Sequence, residues 1–484
     1  MNSKVKTALK AVAALLVILM PLALIFGIVV LTVPQYSNTF VGVLDDKVDR
    51  LKDIEEEKLI VVGGSSVAFG LDSELLEEYV GMPVVNFGLY AALGTKVMLD
   101  LSRAGISRGD VVIIAPEVSA QTMSMYFNTE TTLQAIDDDY SLLRYMDINN
   151  IPSLLSGMFR HVGNKVKLAV SGKPDPEGVY NSKSFNEYGD VVYERPSNVM
   201  ELYYDPNTPI VLDESIINEP FIDYLNEYIA YCRLVGAEVY YSFSPMNELA
   251  VKEQYTSEEL RAFEKLLGEK IDCDIISYAD DYILDAGYFF DSNFHLNDTG
   301  VKYRTLRLAE DIILAEEIPT LVLEPYPEVP ALRDGLIMLE GEEPDINEKY
   351  FTYEALPNGN YMITGLTELG KTQTSLTLPI GVRLGDSNNL VAVTTLGEGA
   401  FSGGVVQRVT VSADSRLKQL MNGAFAGAGS LTRLDLYIES AESVLPPADF
   451  IGTASSFEIH VSSSSSYRSD YFWSSFTDII KSDL

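Results

Sequence analysis

The chain has 484 residues, 47% of them apolar and 10% aromatic, enough for about three domains with cores of their own, which excludes a chain disordered throughout. Its 35 Lys and Arg stand against 70 Asp and Glu, a formal charge of −35. A surface that acidic repels nucleic-acid phosphates and anionic headgroups, and two cysteines exclude a disulfide scaffold or a Cys-rich zinc module.

Residues 11–33, AVAALLVILMPLALIFGIVVLTV, carry no charged side chain. A helix of that length spans roughly 34 Å, enough to cross a bilayer. A cleavable signal peptide has a shorter apolar stretch and a small-residue cleavage site, whereas this run ends Val33-Pro34-Gln35-Tyr36. Lys4, Lys6 and Lys10 precede the span and Asp45 and Asp46 follow it, so the expectation is a single-pass anchor with a cytoplasmic N-terminus and the body outside the cell. Residues 1–34 are thus read as cytoplasmic end and anchor, and 35–57 as a stalk.

From residue 58 to 316, short apolar runs alternate with amphipathic segments. KLIVVGG, PVVNFG, DVVIIAPE, AEVYYSFSP and DCDIISYA read as buried strands. DSELLEEYV, residues 94–104, 219–235 and 257–268, and a segment beginning near Asp298 read as helices. This is the pattern of a parallel sheet covered on both faces. Residues 118–217, mixed polar and aromatic with KPDPEG and DPNTP turns, read as an insertion over the sheet, where insertions commonly flank the ligand crevice. Cys232 and Cys273 both fall in apolar segments and are either one extracellular disulfide or two buried thiols.

Residues 317–345 are rich in Pro and Glu and read as a linker. Beyond them Gly399-Ala400-Phe401 recurs as Gly423-Ala424-Phe425, with Phe450 following, and each phenylalanine precedes a short alternating strand, RVTV, RLDL and FEIHV. Such a period with one strand per unit indicates a solenoid. The region 346–470 resembles BspA-type leucine-rich repeats, and the tail 471–484 would cap the last unit.

The strongest chemical signal is the turn after the first strand, Gly63-Gly64-Ser65-Ser66. A Gly-Ser turn leaving a buried parallel strand sets a hydroxyl beside the backbone N–H groups of the next helix, which suits a nucleophile and an oxyanion site. A phosphate loop is not indicated, because no G-x-x-x-x-G-K-[ST] occurs. A serine needs a base, and the chain offers only His161, His295 and His460. His295, in Phe290-Asp291-Ser292-Asn293-Phe294-His295, has carboxylates on both sides and is the candidate; the other two read as surface or packing residues.

These blocks resemble the SGNH/GDSL hydrolase superfamily, especially its membrane-anchored branch of acyltransferase-associated and teichoic-acid D-alanylation proteins. The resemblance implies a flavodoxin-like α/β domain over 58–316. It makes Ser66 the nucleophile and one oxyanion donor, Gly88 the second donor, His295 the base and Asp291 its orienting carboxylate, with Ser65 the lesser candidate for nucleophile. Two features depart from the family pattern. Glu117 stands where the family has an oxyanion-donating asparagine, leaving Glu117 to bind a cationic group such as an alanyl amine, or Asn247 to approach from the next strand. Asp291 lies four residues before His295, and Ser292 occupies the usual aspartate place. The implied function is an extracytoplasmic serine esterase or acyltransferase acting on O-acetyl or D-alanyl esters of envelope polysaccharide or teichoic acid, with no cofactor or metal and with a membrane acyltransferase as partner. The other reading is a catalytically degenerate adhesion or wall-binding protein acting through its repeats.

Overall fold

The computed structural model describes residues 34–482 and 484, apart from 252–254, 320–321, 333–334, 340–346, 384–389, 463 and 471; ahead of them it describes only Val17, Met20, Leu24 and Gly27. The anchor expected at 11–33 therefore lies outside the described residues except at those four positions. Among the described residues no helix is long and apolar enough to cross a membrane.

Five apolar runs form one parallel sheet: β1 (Leu59–Gly63), β2 (Val84–Gly88), β3 (Val111–Ile114), β4 (Glu238–Tyr241) and β5 (Asp274–Ile275), in the order β2-β1-β3-β4-β5. Every residue of β1, β2 and β3 is buried, which is why, Asn86 apart, these strands read as continuous apolar runs rather than alternating ones. The helices are α1 (Leu44–Asp53), α2 (Ser65–Ala68), α3 (Ser73–Val80), α4 (Thr95–Ser102), α5 (Thr129–Ala135), α6 (Ile151–Ser171), α7 (Glu219–Val235), α8 (Ser257–Gly268) and α9 (Asp298–Ala315). Their ends obey sequence signals: Asp72 caps α3, Thr256 and Glu259 form a capping box on α8, and Asn297 caps α9 through Gly300.

Two sequence expectations are corrected. The stretch 35–57 is not a free stalk: Leu44, Val48 and Leu51 of α1 are fully buried in the main core, and Lys47 Nζ donates to Asn86 O at 3.0 Å and Gly189 O at 2.6 Å. The stretch 317–345 is not a loose linker either. Glu324 pairs with Lys302 at 2.5 Å, the Pro327 carbonyl accepts from Tyr288 at 2.7 Å, and Met338–Leu339 pairs with Leu390 and Val391. Cys232 and Cys273 are unpaired and buried, and burial pushes their thiols up to about 11 and about 12.

In the C-terminal part, β6 (Ser375–Thr377), β7 (Arg408–Val411), β8 (Arg433–Leu436), β9 (Glu458–Val461) and β10 (Ile480–Ser482) stack in parallel. Arg408, Arg433 and Glu458 share one register position, so these units advance 25 residues at a time. Inside the stack Phe401 lies 5.8 Å from Phe425, which lies 5.2 Å from Phe450. The tail closes the end: Trp473 is fully buried with its indole N–H on the Val444 carbonyl, and β10 pairs with β9. This core is separate from that of the sheet domain; the contacts between the two units include Lys418 with Glu201 at 2.7 Å, Asn422 N with Asn207 Oδ1 at 2.6 Å, and Tyr180 edge-on to Phe472 at 6.2 Å.

Candidate functional site

The strand order reverses between β1 and β3, and the carboxyl ends of those two strands carry the candidate residues, the position where open α/β sheets place ligands. From β1 the chain turns at Gly64 into α2. A Cβ on Gly64 would sit 2.3 Å from Glu117 Oε2, so any side chain here would displace the carboxylate that arrives from the end of β3. Glu117 is buried; its Oε1 accepts the Ser66 N–H at 2.8 Å and the Ser65 hydroxyl at 3.5 Å, and its Oε2 has no hydrogen-bond partner. Gly88, at the end of β2, is equally constrained, since a Cβ would lie 2.3 Å from that of Val67, and its N–H donates to Asn86 Oδ1 at 3.1 Å. Both N–H groups expected to face an oxyanion are therefore engaged by side-chain acceptors.

The histidine loop precedes α9. Phe290 N–H donates to the His295 carbonyl at 2.9 Å, closing a tight turn, and Ser292 Oγ accepts from the His295 N–H at 3.1 Å. The turn brings a carboxylate four residues back onto the ring: Asp291 Oδ1 accepts from His295 Nδ1 at 2.8 Å. Ser292, in the usual aspartate place, braces the backbone instead. Asp291 Oδ2 accepts from Tyr180 Oη at 2.8 Å, so both carboxylate oxygens are held, and burial together with the Asp291 charge pushes the Tyr180 phenol well up. This Asp–His pair leaves Nε2 as the proton-accepting nitrogen.

Phe69, just past α2, connects the two halves. The His295 ring stacks on it at 4.0 Å and 5°, which sets the imidazole against the helix that carries Ser66. Arg304 of α9 reaches the same turn, its Nη1 donating to the Ser66 carbonyl at 2.7 Å, and burial lowers its guanidinium to about 10. No hydrogen bond joins His295 to Ser66 or Ser65; the Ser66 Oγ is buried without a partner. Asn247 is not part of this constellation, because its amide donates to the Tyr203 carbonyl at 2.9 Å and its Oδ1 accepts from Leu249 N–H at 3.0 Å.

A cavity of about 320 Å³ opens beside Asp291, between the insertion and the repeat unit, lined by Tyr180, Tyr204, Asp205, Asp291, Lys418 and Phe472 among others; neither serine reaches it. Sequence reasoning missed Tyr180 and Arg304. Tyr180 has no local signal, lying 111 residues from Asp291, whereas an arginine in the helix after the histidine loop was visible and unassigned. His161 and His460 are buried packing residues. No protein-family model, curated protein or solved structure matches the chain.

Proposed function

We propose that the chain is a membrane-anchored, extracytoplasmic serine acyl-esterase or acyltransferase of SGNH type, with a flavodoxin-like catalytic domain and a leucine-rich-repeat solenoid, acting on esters of cell-envelope polysaccharide or teichoic acid. The observation that carries this reading is the Asp291–His295 hydrogen bond with the histidine stacked on Phe69, because it supplies an oriented base at the helix of Ser66. In the reaction, the Ser66 hydroxyl passes its proton to His295 Nε2 as Oγ bonds the acyl carbon. The ester C–O bond then breaks and the leaving hydroxyl takes the proton from His295. Water, or a hydroxyl of a second acceptor, reverses these steps to release the acyl group.

Glu117 selects the acyl group. An ionised carboxylate on the Ser66 N–H opposes a developing oxyanion, and its unpartnered Oε2 is suited to an ammonium. The α-ammonium of an alanyl ester pairs with Glu117 and draws it from the N–H; an acetyl ester cannot. Aminoacyl esters are therefore the preferred class, with a membrane acyltransferase as the partner that exchanges acyl groups with Ser66.

The alternative, a degenerate adhesion protein acting through its repeats, is favoured by the same Glu117 contact and by the absence of a Ser66–His295 hydrogen bond. Labelling with a fluorophosphonate separates the two. Capture at Ser66 that disappears in Ser66→Ala supports the enzyme; no capture by folded protein supports the binder.

A further inference from the structure

The insertion holds a helix whose exposed face is apolar. Along α6, Leu155, Phe159, Val166 and Val170 are 58, 76, 48 and 87% exposed. At 100° per residue these four fall within an arc of about 60°. The opposite side carries Leu154, His161 and Lys165, all buried, and Val162, also buried, lies at the edge of the stripe. A helix that hides a histidine and a lysine while presenting a stripe of large apolar side chains is inverted relative to a surface helix of a water-soluble domain. Its charge is inverted as well: residues 148–173 contain Arg160, Lys165, Lys167 and Lys173 and no acid, in a chain with 70 acids. Arg160 and Lys167 are exposed and lie about a quarter-turn from the centre of the stripe.

What covers this stripe is indicated by where the chain enters the domain. Gln35 N–H donates to Asp137 Oδ2 at 2.7 Å, and the same carboxylate takes Lys165 Nζ at 2.5 Å and faces His161 Nε2 at 3.2 Å. Tyr36 stacks on His161 at 5.7 Å, and Lys173 Nζ reaches Ser37 Oγ at 3.4 Å. The first described residues after the apolar segment 11–33, Gln35 and Tyr36, are thus pinned to the buried side of α6, about one helix diameter from the stripe.

We infer that α6 lies in the membrane interface beside the anchor, with Leu155, Phe159, Val166 and Val170 among the lipid chains of the outer leaflet and Arg160 and Lys167 at the headgroups. This rests on the reading of residues 11–33 as a membrane anchor. An apolar face with flanking cations is the composition of helices that lie in this plane, and two attachments, a span and an interfacial helix, fix the orientation of the domain where a span alone leaves it free to swivel. The esters it reaches are then those held at one height above the bilayer.

The test uses the full chain in phosphatidylcholine–phosphatidylglycerol vesicles, with an environment-sensitive fluorophore on single cysteines introduced as Phe159→Cys, Val170→Cys, Leu24→Cys and Asp449→Cys. The native cysteines are buried and do not compete for label. Lipids with a nitroxide near the headgroup should quench the labels at 159 and 170 by about half, as expected for side chains about 5–10 Å into the interface, and leave 449 unchanged. Quenching at 24 by a deep nitroxide with none at 159 and 170 overturns the inference and leaves the anchor intact. No quenching at 24 removes the anchor reading; the inference then stands only if 159 and 170 are still quenched. A label at 159 that is shielded from water yet untouched by lipid nitroxide means that protein covers the stripe, which also overturns it.

Discussion

Glu117→Gln keeps the shape of the side chain that lies over Gly64 and removes its charge, and its consequences differ for neutral and cationic esters. An oxyanion bound to the Ser66 N–H would occupy the place now held by Glu117 Oε1, 2.8 Å from the nitrogen, with the displaced carboxylate next to it. Two like charges about 4 Å apart at an effective dielectric near 20 repel by about 4 kcal/mol, and each ~1.4 kcal/mol is tenfold in rate. Partial relaxation and solvent reduce this, so Glu117→Gln should accelerate turnover of a small acetyl ester by about 10²–10³, the range associated with one oxyanion contact. For an alanyl ester the ammonium would already offset the carboxylate in the native protein. The substitution removes that attraction along with the repulsion, and the rate should change little. The quantity to measure is the ratio of kcat/KM for alanyl and acetyl esters of one leaving group, in both proteins, with the fluorophosphonate labelling rate as a neutral control. A fall in the ratio of at least about tenfold, driven by the acetyl substrate, is expected. Folding is not at stake, because the glutamine oxygen still accepts the Ser66 N–H. An unchanged ratio, or a native enzyme with no preference for the alanyl ester, would refute the role given to Glu117.

Three further outcomes follow from the same geometry. Ser66→Ala, His295→Ala and the double substitution should lose similar amounts of turnover, as expected of a pair that acts as a unit; additive losses in steady-state kinetics, or full activity in Ser66→Ala, would reject the pairing. Asp291→Asn should lower kcat by orders of magnitude, because an amide cannot stabilise the imidazolium. Tyr180→Phe, which removes one hydrogen bond to a carboxylate worth about 1.5–3 kcal/mol, should cost about 10–100-fold at most, and a reversed order would make Tyr180 rather than Asp291 the critical partner. Lys47 is buried and burial lowers its ammonium to about 7, below the ordinary value of about 10.4 in the unfolded chain. Between those values the unfolded chain holds the extra proton, so native stability relative to Lys47→Met should rise with pH; urea midpoints that run parallel in the two proteins across that window would show that Lys47 keeps its proton.

The sheet was legible because its strands are buried on both faces, which turns LIVVG and VVII into uninterrupted apolar runs, and VVNFG into one broken only by the hydrogen-bonded Asn86. The 25-residue register was legible for a related reason, since each unit repeats its buried phenylalanine and strand. What escaped are elements whose hydrophobic pattern is short or faces the unexpected way. In α1, Leu44, Val48 and Leu51 keep helical spacing, but Asp45, Asp46 and Asp49 lie between them and suggest a solvated stalk. In α6 two of the four buried positions are His161 and Lys165, made tolerable by Asp137 from another part of the insertion.

The candidate site divides along the same line. His295 and Asp291 share one tight loop, so local sequence carries their relation even where the spacing is unusual, and the turn closed by Phe290 and His295 explains how a four-residue separation still delivers a carboxylate to Nδ1. Glu117 was visible at the end of its strand, but its effect depends on a contact with the Ser66 N–H across two parallel strands, which only the sheet order β2-β1-β3 creates. That contact makes a single carboxylate the determinant of both readings of the protein. If it yields to an ammonium, the turn is a selective aminoacyl site; if it never leaves the N–H, the same residues are a closed scaffold beneath the repeats.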